Sequence, residues 1–339
     1  MQPAHILHPR PEGLYCPLAD LYVDPTRPVA RALITHGHSD HARAGHGAVM
    51  ATPETLAIMA ARYGPEFAGS TQALKYGETI ELGGARFRLV SAGHVLGSAQ
   101  AVVEADGCRI VVSGDYKRQP DPTCPPFEVV PCDVFISEAT FALPVFTHPP
   151  AEHEVKKLLA SVAMFPERAH VVGAYALGKA QRLMATLRQC GWDKPIHVHG
   201  ALVALTELYK QHGVDLGDVR HVENAPKSHY AGAIVLGPPD ALQTPWVRRF
   251  PDPVTAFASG WMRIRARARQ RGVELPLVIS DHADWPDLQR TILETGADEI
   301  WITHGEADAL AHWCTSQGLK AKALHLVGYG DEEEPATAA

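Results

Sequence analysis

HGHSDH, residues 36–41, follows directly on the apolar run ARALIT, residues 30–35. A buried strand that ends at Thr35 and turns at once into His36, His38, Asp40 and His41 sets four candidate ligands within six residues. In such a turn His36 and His38 can face one ion while Asp40 and His41 face another. Imidazole and carboxylate donors suit zinc, manganese or iron, and the lack of thiolates argues against a purely structural zinc.

The same arrangement recurs along the chain. FRLVSAG leads to His94, RIVVSG to Asp115, DVFIS to Glu138, LVIS to Asp281 and His282, and IWIT to His304. Any one of these would ordinarily be a capped strand end. Five of them beside the histidine loop predict a shared sheet edge whose side chains converge on a single pocket.

The totals bound the problem from outside. At 339 residues the chain exceeds a usual single core, so two structural units are expected. A hydrophobic share of 46% and a charged share of 20% describe an ordinary globular composition. No stretch reads as a secretion signal and no run approaches the roughly 20 apolar residues that span a bilayer. The six scattered cysteines form no C-x-x-C pair and read as reduced thiols, so a cytoplasmic address with no membrane partner is expected. Charge is unevenly placed: residues 143–278 carry 17 Lys and Arg against 11 Asp and Glu, within totals of 31 and 38. The middle is therefore basic and the flanks acidic, and a basic segment is a candidate phosphate-facing surface.

Patterning gives the organisation. GLYCP and ADLYVDP form a candidate strand pair, PETLAIMAARY (residues 53–63) a helix, and residues 87–91, 108–112 and 132–137 further strands. After residue 142 the pattern changes to alternating strand and helix, in AHVVGAYALGKAQRLMATLRQCG and again in PIHVHGALVALTELYKQHG. AGAIVLGPP and TAFASGW are two more strands, and PLVIS and DEIWIT then read as a return to the first unit. The expected division is residues 1–142 and 279–330 for one α/β unit, 143–278 for a small parallel α/β insert, and 331–339 for an acidic tail.

The set Asp24, HGHSDH, AGHVLGSAQ, SGDYK, SEATF, SDHAD and THGE resembles the β-CASP branch of the metallo-β-lactamase superfamily. Through GLYCP, GHVLGSAQ, VSGDYKRQPDPTCPPFE, YALGKAQRL, FASGWM and SDHADWP it is most similar to the bacterial DNA ligase-associated DNA exonucleases, from about residue 11 to about residue 326. The resemblance implies an αββα metallo-β-lactamase sandwich with an inserted β-CASP domain. It implies a metal-dependent exonuclease on single-stranded DNA, acting in repair beside a DNA ligase and a helicase. His36, His38 and His94 would hold one divalent ion, and Asp40, His41 and His304 a second, with zinc the first expectation and manganese the alternative. Asp115 would bridge them, and Asp24 would fix the ligand loop by hydrogen bonds. Asp40, Glu138 and His282 would be the catalytic residues, with Glu138 orienting His282 and His282 meeting the scissile phosphate or protonating the leaving oxygen.

One position departs from the DNA-repair pattern. His304 stands where eukaryotic DNA-repair members of the branch tend to have valine and RNA-processing members have histidine, so an RNase is the alternative expectation. A small-molecule hydrolase would not need the basic insert, and a non-catalytic binding module would not need the complete ligand set.

Other residues are expected at the substrate. Tyr175, Gly178 and Lys179 lie in a glycine-bearing turn before a helix, a natural seat for a phosphate. Lys117 follows Asp115 closely and is either a phosphate contact or a surface lysine. Arg263, Arg265 and Arg267, in WMRIRARARQRG, alternate strictly. Extended, they would share one face at roughly 6.6 Å intervals, and a basic helix is the alternative. His197 and His199 have no third ligand nearby and read as ordinary histidines.

Overall fold

The computed structural model describes residues 2–324, so the expected acidic tail at 331–339 lies outside the described residues. The chain forms two compact units. One takes the residues up to Pro120, Cys124–Phe146 and those from His282 on; the other takes Asp121–Thr123 and Thr147–Asp281. The breaks thus fall at Phe146/Thr147 and Asp281/His282, a few residues beyond those expected, and a short segment near residue 122 belongs with the insert.

The first unit stacks two sheets. A six-stranded sheet runs in chain order through His8–Arg10, Gly13–Cys16, Leu21–Val23, Arg31–Leu33, Ala48–Ala51 and Thr71–Ala73. A seven-stranded sheet runs Lys320–Ala323, Glu299–Ile302, Val134–Ser137, Cys108–Val112, Ala99–Ala105, Ala85–Ser91 and Thr79–Leu82. Period-two alternation decides which side chain faces which layer. In Ala85–Ser91, Phe87 and Leu89 point into the core between the sheets, together with Leu14, Leu33, Val103, Ile110 and Trp301. Val90, from the same strand, points the other way, into a cluster with Leu288, Ile292 and Leu310 of helices Trp285–Thr295 and Ala307–Ser316. Helix Pro53–Tyr63 covers the outer face of the first sheet through Met59, against Ala32, Ile34 and Val49. The layers are therefore helix, sheet, sheet, helix.

Local chemistry starts these helices where they are needed. Thr52 caps Pro53–Tyr63 by accepting the Thr55 N–H at 3.2 Å, and its hydroxyl donates to the Gly97 carbonyl at 2.7 Å. Such a cap contributes about 1 kcal/mol. Asp284 caps Trp285–Thr295 by accepting the Asp287 N–H at 3.1 Å, which starts that helix three residues after His282.

The second unit is a parallel sheet in the order Val219–His221, Ile196–Val198, Ile234–Gly237, His170–Gly173, Val254–Ala258 and Leu275–Leu277. Helices Ala151–Met164, Lys179–Gln189 and Gly200–Gln211 connect or flank its strands. Leu275–Leu277 corrects the expectation for PLVIS: it pairs with Val254–Ala258 and closes this sheet rather than returning to the first. All six cysteines are free thiols. Among the described residues no helix is long and apolar enough to cross a membrane.

Candidate metal centre

Strand Arg31–Leu33 delivers the histidine loop, and Asp24 shapes its start. Asp24 adopts a left-handed backbone (φ 46°). Its Oδ1 accepts the Thr35 N–H at 2.7 Å, and its Oδ2 accepts the Thr35 hydroxyl at 2.6 Å and the His41 Nδ1–H at 2.8 Å. Because the Thr35 proton goes to Asp24, the contact of Thr35 Oγ1 with His36 Nδ1 at 3.1 Å makes the ring the donor. With Nδ1 engaged in both rings, Nε2 is the nitrogen left to bind a metal, once His41 has given up its second proton.

The last ligand loop repeats this device. Thr303 donates its hydroxyl to the Ser137 carbonyl at 3.3 Å, so His304 Nδ1, 2.9 Å from Thr303 Oγ1, is the donor and Nε2 is left bare. His304 itself is left-handed (φ 57°), and Gly305 follows in the same region (φ 64°). A Cβ at Gly305 would lie 2.2 Å from the Ala139 carbonyl oxygen. At Gly114, which sets up Asp115, a Cβ would lie 2.7 Å from Thr35 Oγ1.

Among the described residues, three groups bring their ligand atoms within 4.8 Å of one another: His36, His38, His94 and Asp115; His41, Asp115 and His304; and Asp115, Glu138 and His282. Asp115 belongs to all three. Its Oδ2 is 3.3 Å from His36 Nε2 and 3.8 Å from His94 Nε2, while its Oδ1 is 3.5 Å from His41 Nε2. His94 Nε2 lies 3.0 Å from His38 Nδ1. Asp40 sits at the margin, 3.7 Å from His41 Nε2 and outside these three groups.

Burial sets the protonation. It holds His36 down to about 4, with the neighbouring His41 charge adding to the effect, and holds His304 down to about 3 for the same reasons. His94 is held well below the usual range by burial and by His282, His36 and His38. Burial opposes charge on His41 too, but Asp115, Asp40 and Asp24 overcome it and raise this ring to about 10. Burial likewise works against an ionised Asp115, yet His41 and His36 keep its carboxyl well below the ordinary value. In the absence of an ion, neutral His36, His94 and His304 and a charged His41 therefore surround an ionised Asp115, and His36 Nε2 is fully buried with no hydrogen bond. This nitrogen and oxygen donor set fits divalent ions of the zinc or manganese type.

Glu138 and His282 complete the pocket. Glu138 Oε1 accepts the Tyr116 N–H at 2.7 Å and Oε2 accepts from His282 Nδ1 at 2.8 Å. Burial raises the Glu138 carboxyl, although His282 opposes the shift. The His94 and His282 rings are 4.7 Å apart.

Several expected substrate contacts lie elsewhere. Lys117 is not on the surface; it is buried and its ammonium donates to the His94 carbonyl at 3.3 Å. Lys179 is buried as well, 3.2 Å from Asp281 Oδ2, so its charge is spent inside the second unit. The turn before it does not offer its amides to an anion. Gly178 N–H goes to Gln181 Oε1, Lys179 N–H to the Leu177 carbonyl and Ala180 N–H to the Tyr175 carbonyl. Tyr175 is half-buried with its ring 6.5 Å from Phe257. The arginine stretch is helical, not extended: Arg263 ends a short 3-10 turn and Arg265–Arg271 is an α-helix. His199 caps Gly200–Gln211 by accepting the Ala201 N–H at 3.0 Å.

Sequence reasoning passed over Thr35 and Thr303. The signal was present, because ITHG occurs at 34–37 and again at 302–305.

No family model matches the chain. Among curated proteins it is 28% identical over 320 residues to a protein of Opitutus terrae named "Probable DNA ligase", covering 92% of this chain and 30% of that protein. It is 35% identical over 120 residues to "Endoribonuclease YSH1" of Candida glabrata, covering 34% of this chain and 15% of that one. With an "RNase J-like protein" of Methanocaldococcus jannaschii it shares 28% identity over 133 residues, 37% of this chain and 32% of the relative. The matches span under a third of the length of each of these relatives. A crystal structure of a protein of unknown function from Enterococcus faecalis V583 has a similar fold. Its TM-score is 0.50 at 13% identity, over 80% of this chain and 74% of that one. With the layered sheets and the histidine and aspartate centre set beside these relatives, the chain is similar to the metallo-β-lactamase/β-CASP nucleases.

Proposed function

We propose that this chain is a two-metal exonuclease that hydrolyses the phosphodiester bonds of single-stranded DNA, working in repair beside a DNA ligase and a helicase. The observation that carries the chemistry is the sharing of Asp115 by both ligand groups and by the Glu138 and His282 pair. The DNA reading is supported by the relative named for a DNA ligase, which matches this chain over 92% of its length.

His36, His38, His94 and Asp115 would hold one ion, and His41, His304 and Asp115, with Asp40 beside them, the other. Two divalent ions bound there would polarise a phosphodiester, activate the attacking water and stabilise charge on the departing oxygen. The chain's own residues do the rest. Asp24, Thr35 and Thr303 fix the ring tautomers, so that Nε2 of His36, His41 and His304 faces inward. Glu138 fixes His282 Nδ1 as a donor, which leaves Nε2 as the atom that meets a substrate oxygen. A proton held at His282 Nε2 is then placed for the leaving group.

A ribonuclease is the second reading. It is favoured by His304 and by the relatives named as an endoribonuclease and as RNase J-like, each matched over about a third of this chain. End-labelled single-stranded DNA and RNA of one sequence, incubated with zinc and with manganese, separate the two. A ladder growing from one end of the DNA is expected, and chelator should abolish it. Internal cuts in RNA alone would replace the first reading by the second, and no cleavage of either strand would refute both.

A further inference from the structure

Helix Arg265–Arg271 reads RARARQR and contains no buried residue and no acid. Nothing apolar in its own sequence holds it down. Two of its arginines do so instead: the Arg267 guanidinium lies 3.8 Å from the centre of the Trp261 ring, and that of Arg271 lies 4.8 Å from the Phe257 ring. Both rings are buried.

Helical geometry gives the other two arginines a different fate. Positions 265 and 269 are four apart and so share the opposite face, with Cβ atoms about 5–6 Å from one another. Both side chains are exposed, and neither makes a hydrogen bond or ion pair among the described residues. Like charges four apart on a helix repel, and here there are two such pairs on opposite faces, 265 with 269 and 267 with 271. A seven-residue helix that tolerates this repulsion, while two of its arginines pin it, presents the remaining two to an anion with a spacing close to that of successive phosphates.

We infer that Arg265 and Arg269 form a contact surface for the phosphodiester backbone of a single-stranded nucleic acid, with Arg267 and Arg271 anchoring the helix that carries them. The inference rests on the nuclease reading for its choice of partner. It replaces the expected face of Arg263, Arg265 and Arg267 by one that the helix defines.

The test measures binding, so it stands apart from cleavage. In a His282→Ala background that stops turnover, the affinity of the full chain for a labelled 20-nucleotide single strand is measured from about 0.05 to 0.3 M salt, once with DNA and once with RNA. Arg265→Gln with Arg269→Gln should flatten the slope of log K against log salt by about 1.4, two contacts at about 0.7 each, and weaken binding about tenfold or more near 0.1 M salt. Arg267→Gln should leave the slope alone and lower the melting temperature. The DNA and RNA arms tell which sugar the surface serves, and an effect in either arm supports it. An unchanged slope and affinity in both arms overturns the inference and leaves the face to an acidic protein or to solvent. An equal flattening with Arg267→Gln overturns the division of labour within the helix. Failure of wild-type cleavage alone would count against the nuclease reading while leaving this binding result standing.

Discussion

Glu138 joins His282 to the backbone next to Asp115: one carboxylate oxygen takes the His282 Nδ1–H at 2.8 Å, and the other takes the Tyr116 N–H at 2.7 Å. A fully buried carboxylate with both oxygens engaged is a strut, and its two partners fix the ring relative to Asp115. Glu138→Gln must turn its amide nitrogen toward one of two donors. Turnover should fall about 10²–10⁴-fold, the range for a lost general acid, and His282→Ala should fall within the same range. The double variant should be little worse than either single one, since the two act as a unit. Single-turnover rates with metal analysis check this; full additivity, or loss of metal on His282→Ala, contradicts it.

Protein purified without chelator should carry close to two divalent ions per chain. Asp115→Ala should lose most of both, because one carboxylate faces both ligand groups. Elemental analysis decides, and retention of one full ion by the variant would show that Asp115 serves a single site.

The threonines before His36 and His304 are testable in isolation. Thr303→Val keeps the side-chain shape but leaves His304 Nδ1–H without its acceptor, and metal affinity should drop about 10–100-fold. Thr35→Val should cost more, since Thr35 also binds Asp24 through its hydroxyl. Chelator competition measures both; wild-type affinity in Thr303→Val would show that the ring needs no such support.

Gly305→Ala combines a left-handed backbone with a Cβ only 2.2 Å from the Ala139 carbonyl oxygen. Backbone strain alone costs about 1–3 kcal/mol. The melting temperature should therefore fall and His304 should lose its place, emptying the second ion site first. A melt and metal content matching wild type would contradict the close approach.

Metal-free protein should be most stable near pH 6.5. His36, His304 and His94 have folded values below the unfolded one of about 6.5, so the unfolded chain takes up protons first as pH falls from about 6.5 toward 4. His41 is raised to about 10, so its contribution is complete below about 6.5 and is lost as pH rises toward 10. Urea melts of chelated protein at pH 4.5, 6.5 and 9 read both arms; rising stability toward pH 4.5 would reverse the sign.

What the sequence made legible was the metal loop and the strand ends that face it, because ligand residues directly after apolar runs carry their own signal. Less legible was anything that depends on a distant partner. PLVIS is apolar enough for either sheet, and only pairing with Val254–Ala258 assigns it. Lys179 reads as a surface cation until Asp281, about a hundred positions away, neutralises it in the interior. The alternating arginines imitate a strand, yet arginine and alanine both favour helix, and the segment is helical. The amides before Lys179–Gln189 looked available because nothing local announces that Gln181 turns back to take one.

Strand Val134–Ser137 has its parallel partner at Glu299–Ile302, on the far side of the inserted unit in sequence. On a ribosome, that strand must wait with one edge open while everything from Thr147 to Asp281 is made. Open edges recruit other chains, and contacts so far apart in sequence form slowly. A chain halted before Glu299 would lack the strand that closes this edge, and would also lack His304. Synthesis order thus makes the seven-stranded sheet and the metal centre wait on the same stretch, the one that carries Glu299–Ile302 and His304.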